Sequence, residues 1–223
     1  MKGIRWIGLG LLCLSSLAVG QTAVLDGLAD FKFKSEISAF AQWDSKNSFP
    51  QKATLFVGSS SIRYWHTATA FPDIPVINRG FGGSVTAEVL EVYPVVIGKY
   101  TPARVVIYVG DNDIASGVSV TDTVAQLKQL FSRISTDFPQ AEVIFLPIKP
   151  SLSRWHQWPL MQQVNQTIQT LANMTEKLTY VDVATPLLNA DGEPDKSVFR
   201  QDGLHLNDKG YAIWNKILAP YLK

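Results

Sequence analysis

Cysteine and histidine are scarce in this sequence. Of its 223 residues, one is cysteine and three are histidine. Cys13 lies in the apolar N-terminal segment, so without that segment the chain has neither a disulfide nor a thiol nucleophile. A metal site built from Asp111, Asp113 and a histidine is conceivable, but no metal-ligand spacing such as His-Glu-x-x-His occurs. We therefore expect no bound metal.

An excess of either charge is also missing. Charged residues make up 17% of the chain, and the formal net charge is +1. Removal of Lys2 and Arg5 with the N-terminal segment would leave a small negative charge. This balance gives no electrostatic reason to bind nucleic acid or an anionic membrane, so we expect neither as a partner.

Long apolar runs are absent after residue 20. Lys2 and Arg5 precede an apolar run over residues 6–14, and small residues follow up to Gly20. This order is typical of a secretory signal peptide, which we predict over residues 1–20, with one domain over residues 21–223 and a periplasmic or secreted location. An uncleaved anchor is the alternative, although the run is short for a membrane span. We expect no integral membrane segment in the mature chain.

Short apolar runs alternate with helical patterns along the rest of the chain. The spacing of Phe33, Ile37 and Phe40 predicts a helix over residues 30–46. Further helical patterns separate five apolar runs, which predict buried strands at residues 53–57, 76–78, 104–109, 142–148 and 179–183. Strands that alternate with helices in this way predict an α/β fold with a parallel sheet covered on both faces.

A run of three serines follows the first predicted strand. Ligands of parallel α/β sheets bind beyond the carboxyl ends of the strands, so reactive side chains are expected there. Ser60 follows Gly58 at a turn where a helix can begin. Its hydroxyl can project as a nucleophile, and its N–H can act as a donor. Plain helix capping is the alternative role for each of Ser59, Ser60 and Ser61.

Asp202 and His205 lie immediately before the last predicted helix. Their spacing lets one short loop present a carboxylate and an imidazole to the same pocket. A serine hydrolase needs such a base and an acid that orients it. Of the three histidines, only His205 has a carboxylate placed in this way. A solvated Asp-Gly turn beside a surface histidine is the alternative.

Two further loops contain candidate donors. Gly80 follows the second predicted strand, where a glycine can bring a backbone N–H close to a ligand. Its segment only superficially matches a dinucleotide-binding fingerprint, since the third glycine is absent and the segment follows the second strand. Asn112 follows the third strand, where its amide can donate to an oxyanion or cap the next segment.

These motifs, in this order, resemble those of the SGNH (GDSL-like) hydrolase family, of the bacterial exported esterase or lipase type. The matching segments are Gly58-Ser59-Ser60, Gly80, Gly110-Asp111-Asn112-Asp113 and Asp202-Gly203-Leu204-His205. Ser59 stands where the family usually has aspartate, so Ser59 or Ser61 remains possible as the nucleophile. The resemblance implies a flavodoxin-like three-layer α/β/α sandwich with five parallel strands, and neither a metal nor an organic cofactor.

The resemblance also implies a serine esterase, that is, a carboxylic ester hydrolase. Ser60, Asp202 and His205 would be catalytic, and the oxyanion hole would consist of the N–H groups of Ser60 and Gly80 and the amide of Asn112. The substrate would be an acylated or acetylated carbohydrate, a short-chain ester or a lysophospholipid. A non-catalytic protein that binds a glycan or a lipid on the same fold is the alternative.

Two tryptophans follow the fourth predicted strand. Trp155 and Trp158 are predicted to line the substrate site, either by stacking on a sugar or by forming an acyl groove. Ordinary packing is the alternative for both. The sequence leaves the acyl chain, the alcohol part of the substrate and the oligomeric state undetermined.

Overall fold

The computed structural model describes residues 27–28 and 30–223, so the predicted signal peptide over residues 1–20 lies outside the described residues. Five parallel strands form a sheet in the order β2-β1-β3-β4-β5. Their bounds are β1 Thr54–Gly58, β2 Val76–Gly80, β3 Arg104–Tyr108, β4 Glu142–Phe145 and β5 Leu178–Tyr180. This order confirms the predicted flavodoxin-like sheet.

Helices connect the strands and follow the last one. Their bounds are α1 Lys34–Lys46, α2 Ser60–Arg63, α3 Thr67–Ala70, α4 Thr86–Glu91, α5 Asp111–Ala115, α6 Val120–Asp137, α7 Trp158–Ala172 and α8 Asp208–Leu218. A π-helical turn spans Pro94–Gly98, and short 3-10 turns span Trp155–Gln157, Thr185–Leu187, Lys196–Val198 and Ala219–Leu222. In the described part of the chain, every helix is too short or too polar to cross a bilayer.

The sheet is covered on both faces. Leu55 and Val57 of β1 pack in one apolar cluster with side chains of α1, α4, α6 and α7. Phe56 points the other way, into a second cluster with side chains of α2 and α8. All five residues of β1 are buried, which is why this strand does not alternate between polar and apolar residues. The predicted three-layer α/β/α sandwich is therefore confirmed.

The bounds of the predicted helix and of all five predicted strands differ from the observed ones by one to four residues at one end or both, and two of these differences have a clear local cause. Helix α1 begins at Lys34, since Phe33 at its N-cap has a non-helical backbone with ψ of 19°. Strand β4 ends at Phe145, and not at Ile148, because the backbone N–H and carbonyl of Ile148 bond to the side chain of Asn165, each at 2.8 Å. The side-chain amide takes the place of a neighbouring strand.

Glycines at the ends of β1 and β3 position the loops that follow. Gly58 has a φ of +135° and Gly110 a φ of +122°, a region that L side chains rarely adopt. A Cβ on Gly58 would lie 1.9 Å from the carbonyl oxygen of Tyr108, which pairs with Gly58 in the sheet. The chain can therefore turn out of the sheet here only with glycine.

We expect Gly58→Ala to prevent folding or to lower the melting temperature far more than Gly192→Ala. Both glycines have positive φ, so both substitutions share a backbone strain of about 1–2 kcal/mol. A Cβ on Gly192 meets nothing within 4 Å, so only Gly58→Ala adds a backbone clash. Thermal melts followed by circular dichroism measure the difference. Equal shifts in the two variants would contradict the close approach of β1 and β3.

Candidate active site

Ser60, His205 and Asp202 form one hydrogen-bonded chain. Ser60 is the first residue of α2, directly after β1, and His205 lies in the loop before α8. The Nε2 of His205 lies 2.9 Å from the Oγ of Ser60. The Nδ1 of His205 lies 2.7 Å from the Oδ2 of Asp202. The structure thus brings together three residues that the sequence separates by up to 145 positions.

Asp202 is held in place by its own loop. Its Oδ1 accepts hydrogen bonds from the backbone N–H groups of Leu204 and His205, each at 2.9 Å. Burial alone would raise the pKa of Asp202, but these bonds and the one to the imidazole outweigh it and lower the pKa to about 2. The carboxylate is therefore ionised at neutral pH, and it orients the imidazole.

The serine run is resolved by burial. Ser59 is 0% exposed and Ser61 1% exposed, whereas Ser60 is half-buried and faces His205. The backbone N–H of Ser59 donates to the carbonyl of Tyr108, so this residue continues the pairing with β3. Among the three serines, Ser60 is the one whose hydroxyl reaches the imidazole.

The backbone N–H of Ser60 is available to a ligand. It donates to no acceptor among the described residues, as expected for the first N–H of a helix. Because the donor and the hydroxyl belong to the same residue, the N–H lies close to any atom that the hydroxyl attacks. Such a donor is what an oxyanion requires.

Gly80 does not have the role predicted from the sequence. Its N–H donates to the Oδ1 of Asn78 at 3.0 Å, so it is not free to bind an oxyanion. A Cβ on Gly80 would lie 2.4 Å from the backbone nitrogen of Arg63 and 2.7 Å from the Cβ of Ile62. Glycine is needed here because α2 packs directly on the end of β2.

Gly83 is the better donor in this loop. Its φ is +72°, and its N–H has no acceptor in the part of the chain that the structure describes. Gly83 lines one cleft together with Asn112 and Arg154. The sequence signal was the Gly82-Gly83 pair, but three glycines in four positions gave no means of choosing among them.

Asn112 lies inside α5 and is held at both ends of its amide. Its Nδ2 donates to the carbonyl of Ser84 at 3.0 Å, and its Oδ1 accepts from the Nη2 of Arg154 at 3.0 Å. The N-cap of α5 is Gly110, so Asn112 does not cap this helix. An amide nitrogen has two N–H bonds, which leaves one of them for a ligand.

Asp113 ties the loop after β3 to the loop after β2. Its two carboxylate oxygens accept from the backbone N–H of Thr86 at 2.9 and 3.1 Å. The side chain is fully buried, and burial raises the pKa of Asp113. The bond anchors the first turn of α4 beside Gly83.

A cluster of charged side chains lies next to Asn112 and consists of Asp111, Lys149 and Arg154. The sequence prediction did not include this cluster. Asp111 is 4% exposed and Lys149 is 1% exposed. The Oδ2 of Asp111 lies 3.3 Å from the Nη1 of Arg154 and 3.8 Å from the Nζ of Lys149, as ion pairs without hydrogen-bond alignment. Burial lowers the pKa of Lys149, whereas the charge of Asp111 opposes that shift. The only sequence signal was the position of Lys149 after β4.

The two tryptophans behave as packing residues. Trp158 is 8% exposed and belongs to the apolar core under α7. Trp155 packs against the same core and stacks on Trp158, with ring centroids 6.0 Å apart and planes at 19°. The predicted substrate contact is therefore not supported for Trp158, because its ring is already covered by the protein.

In the described residues, no group of three or more His, Cys, Asp or Glu side chains could hold a metal ion.

Comparison with known proteins adds a family match and several similar structures. The sequence model of the GDSL-like lipase/acylhydrolase family matches residues 58–213. No curated protein matches the chain. One similar structure, from Streptococcus pneumonia and described as a candidate platelet activating factor, has 23% identity and a TM-score of 0.78, and the match covers 94% of this chain and 99% of that one.

Two further structures are described by their activity. A GDSL-like lipase from Bacteroides thetaiotaomicron has 19% identity and a TM-score of 0.72, with 83% of this chain and 96% of that chain covered. A variant of an acetyl-xylooligosaccharide esterase from Geobacillus Stearmophilus has 14% identity and a TM-score of 0.64, with 79% and 96% covered. At these identities, the likeness shows a shared fold.

We expect Asp113→Ala to lower the free energy of unfolding by about 1–3 kcal/mol, because the buried N–H of Thr86 loses its acceptor. Asp113→Asn retains one acceptor oxygen and should cost less. Asp73→Ala is the control, because the exposed carboxylate of Asp73 makes no hydrogen bond or ion pair with the described residues, and it should change stability by no more than about 0.5 kcal/mol. Urea titration of the three variants is the measurement. Equal losses for Asp113→Ala and Asp73→Ala would show that the bond from Thr86 to Asp113 does not stabilise the fold.

Proposed function

We propose, given that this chain belongs to the GDSL-like lipase/acylhydrolase family of carboxylic ester hydrolases, that it is a serine esterase with Ser60 as its nucleophile. The observation that carries the proposal is the continuous contact from the carboxylate of Asp202 through His205 to the hydroxyl of Ser60. It lies at the carboxyl edge of a parallel sheet, where such folds bind ligands.

The reaction follows from the positions of these atoms. The Nε2 of His205 accepts the proton of Ser60 as the Oγ forms a bond to the ester carbonyl carbon, and the carbonyl electron pair moves to its oxygen. When the intermediate collapses, the protonated imidazole gives its proton to the departing alcohol. Water then attacks the acyl carbon with the same imidazole as base, the bond to the Oγ of Ser60 breaks, the carboxylic acid leaves, and the imidazolium returns the proton to Ser60. Asp202 stays ionised throughout and stabilises the imidazolium, which its pKa of about 2 permits.

The negative charge of the tetrahedral intermediate needs fixed donors. We assign three: the backbone N–H of Ser60, the backbone N–H of Gly83 and the N–H of Asn112 that does not bind Ser84. Their support is that none of these hydrogens has an acceptor among the described residues. Donors that are already oriented stabilise charge that exists only in the transition state.

The substrate we propose is an ester with a polar alcohol part, such as an acylated carbohydrate. Charged groups support this choice: Arg63, on the same helix as Ser60, pairs with Glu36 at 3.1 Å, and both side chains are partly exposed. The cleft that Gly83 and Asn112 line also contains the charged side chains of Lys32, Glu88 and Arg154. A short-chain ester and a lysophospholipid are the other members of the proposed class. The N-terminal pattern supports a periplasmic or secreted location.

Ser60→Ala should abolish both ester hydrolysis and covalent labelling by a fluorophosphonate, because among the described residues no other hydroxyl bonds to the imidazole of His205. Ser59→Ala is the matched control: its hydroxyl is buried without a partner, so both signals should persist. The measurement is hydrolysis of an acyl series from acetyl to palmitoyl, on aryl and sugar leaving groups, beside the labelling reaction. Loss of labelling in Ser59→Ala with retention in Ser60→Ala would move the nucleophile, and absence of both signals in the wild type would indicate a non-catalytic binding protein.

Asn112→Ala should lower kcat by roughly 100- to 1000-fold with little change in KM, because its N–H acts mainly on transition-state charge. Asn189→Ala provides the contrast, since that exposed side chain accepts from the backbone of Asp191 and Glu193 within its own turn. It should affect the melting temperature and not kcat. Kinetics on a soluble aryl ester beside thermal melts separate the two effects. An unchanged kcat in Asn112→Ala would remove this residue from the site.

A further inference from the structure

Two contacts hold the side-chain amide of Asn112 in one orientation. A guanidinium only donates hydrogen bonds, so the atom of Asn112 that Arg154 contacts must be the oxygen. The carbonyl of Ser84 only accepts, so it binds the nitrogen end through one of the two N–H bonds. Without Arg154, the amide would be held at its nitrogen end alone and would be free to pivot about that contact.

Arg154 is itself braced by buried charge. Its side chain is 20% exposed, and its Nη1 lies 3.3 Å from the Oδ2 of the buried Asp111. Lys149 adds a second cation 3.8 Å from the same oxygen. Buried ions of this kind stay in place only when they are paired, so the guanidinium has a restricted set of positions.

The segment that contains Arg154 also contacts the loop of the base. The backbone N–H of Ser153 donates to the carbonyl of Gly203 at 3.1 Å, between Asp202 and His205. A Cβ on Gly203 would lie 3.1 Å from the Cβ of Leu152, so the two loops touch. One short segment after β4 therefore connects the amide donor with the acid and base.

We propose that Arg154 is a positioning residue for ester hydrolysis, which holds the free N–H of Asn112 toward the oxyanion. The hydrogen bond from the charged guanidinium to the amide oxygen also polarises the amide and makes that N–H a stronger donor. This inference rests on the proposed function, since it assigns Arg154 to the oxyanion hole of the same site. An alternative role, direct binding of an anionic group of the substrate, would affect KM and not kcat.

The test is a double-mutant cycle between Arg154 and Asn112, with kcat and KM measured on an uncharged aryl acetate. Arg154→Met should lower kcat by about 10- to 100-fold with KM within about twofold, because a displaced donor loses transition-state contact. In an Asn112→Ala background, Arg154→Met should have no further effect on kcat. Arg133→Met is the matched control: that side chain is exposed on α6, and the same change should leave kcat unaltered.

A second variant keeps the test decisive if Arg154→Met does not fold. Arg154→Lys retains the charge opposite Asp111 but replaces the forked donor by a single ammonium, which cannot hold Asn112 and Asp111 together. It should melt near the wild-type temperature and still have a lower kcat than the wild type. In the Asn112→Ala background, the same change should cause no further loss of kcat.

The outcomes separate the two proposals. The informative comparison is the loss of kcat from Arg154→Met in the wild-type background and in the Asn112→Ala background, or from Arg154→Lys if Arg154→Met does not fold. Equal losses in the two backgrounds would overturn the positioning role and leave the proposed esterase activity intact. An unchanged kcat in Arg154→Met would overturn it, and a KM that rises only on an ester with an anionic group would assign Arg154 to substrate binding instead. A wild-type protein without hydrolysis and without phosphonate labelling would overturn the proposed function, and the role of Arg154 with it.

Discussion

The pairing of β1 with β3 up to their carboxyl ends is the constraint on which the site depends. Gly58 lies so close to the carbonyl of Tyr108 that no side chain fits, and both strands then leave the sheet at a glycine with positive φ. Ser60 and Asn112 follow these turns directly, each at the start of a short helix. The sheet backbone therefore fixes the relative position of the Ser60 hydroxyl and the Asn112 amide, which are the proposed nucleophile and oxyanion donor.

Hydrogen bonds between loops complete what the sheet begins. Five segments contribute to the site. Ser60 contacts His205, and bonds join the other segments in pairs: Asn112 to Ser84, Asp113 to Thr86, Arg154 to Asn112, and Ser153 to Gly203. Most of these groups are buried, where an unpaired donor or acceptor is costly. These bonds hold the proposed donors in one orientation before any substrate arrives.

Errors in the sequence prediction arose where several residues of one type lie close together or where burial decides the role. Gly80 and Gly83 belong to the same motif, and only the hydrogen bond from Gly80 to Asn78 shows that Gly80 is occupied. Trp158 has an aromatic ring of the kind that stacks on ligands, but the protein core covers that ring. The proposed role of Arg154 had no sequence signal, since it depends on a hydrogen bond to a side chain 42 positions away.

The sequence by itself determined the succession of strands and helices along the chain, since apolar periodicity reflects burial. It also supplied the proposed acid and base, Asp202 and His205, since residues three positions apart need only one short loop to meet. The tertiary structure decided which of three serines faces His205, which glycine N–H is free, and how Asn112 is turned. These properties depend on which groups are buried and which atoms bond across different strands and loops. A one-dimensional pattern does not contain those distances.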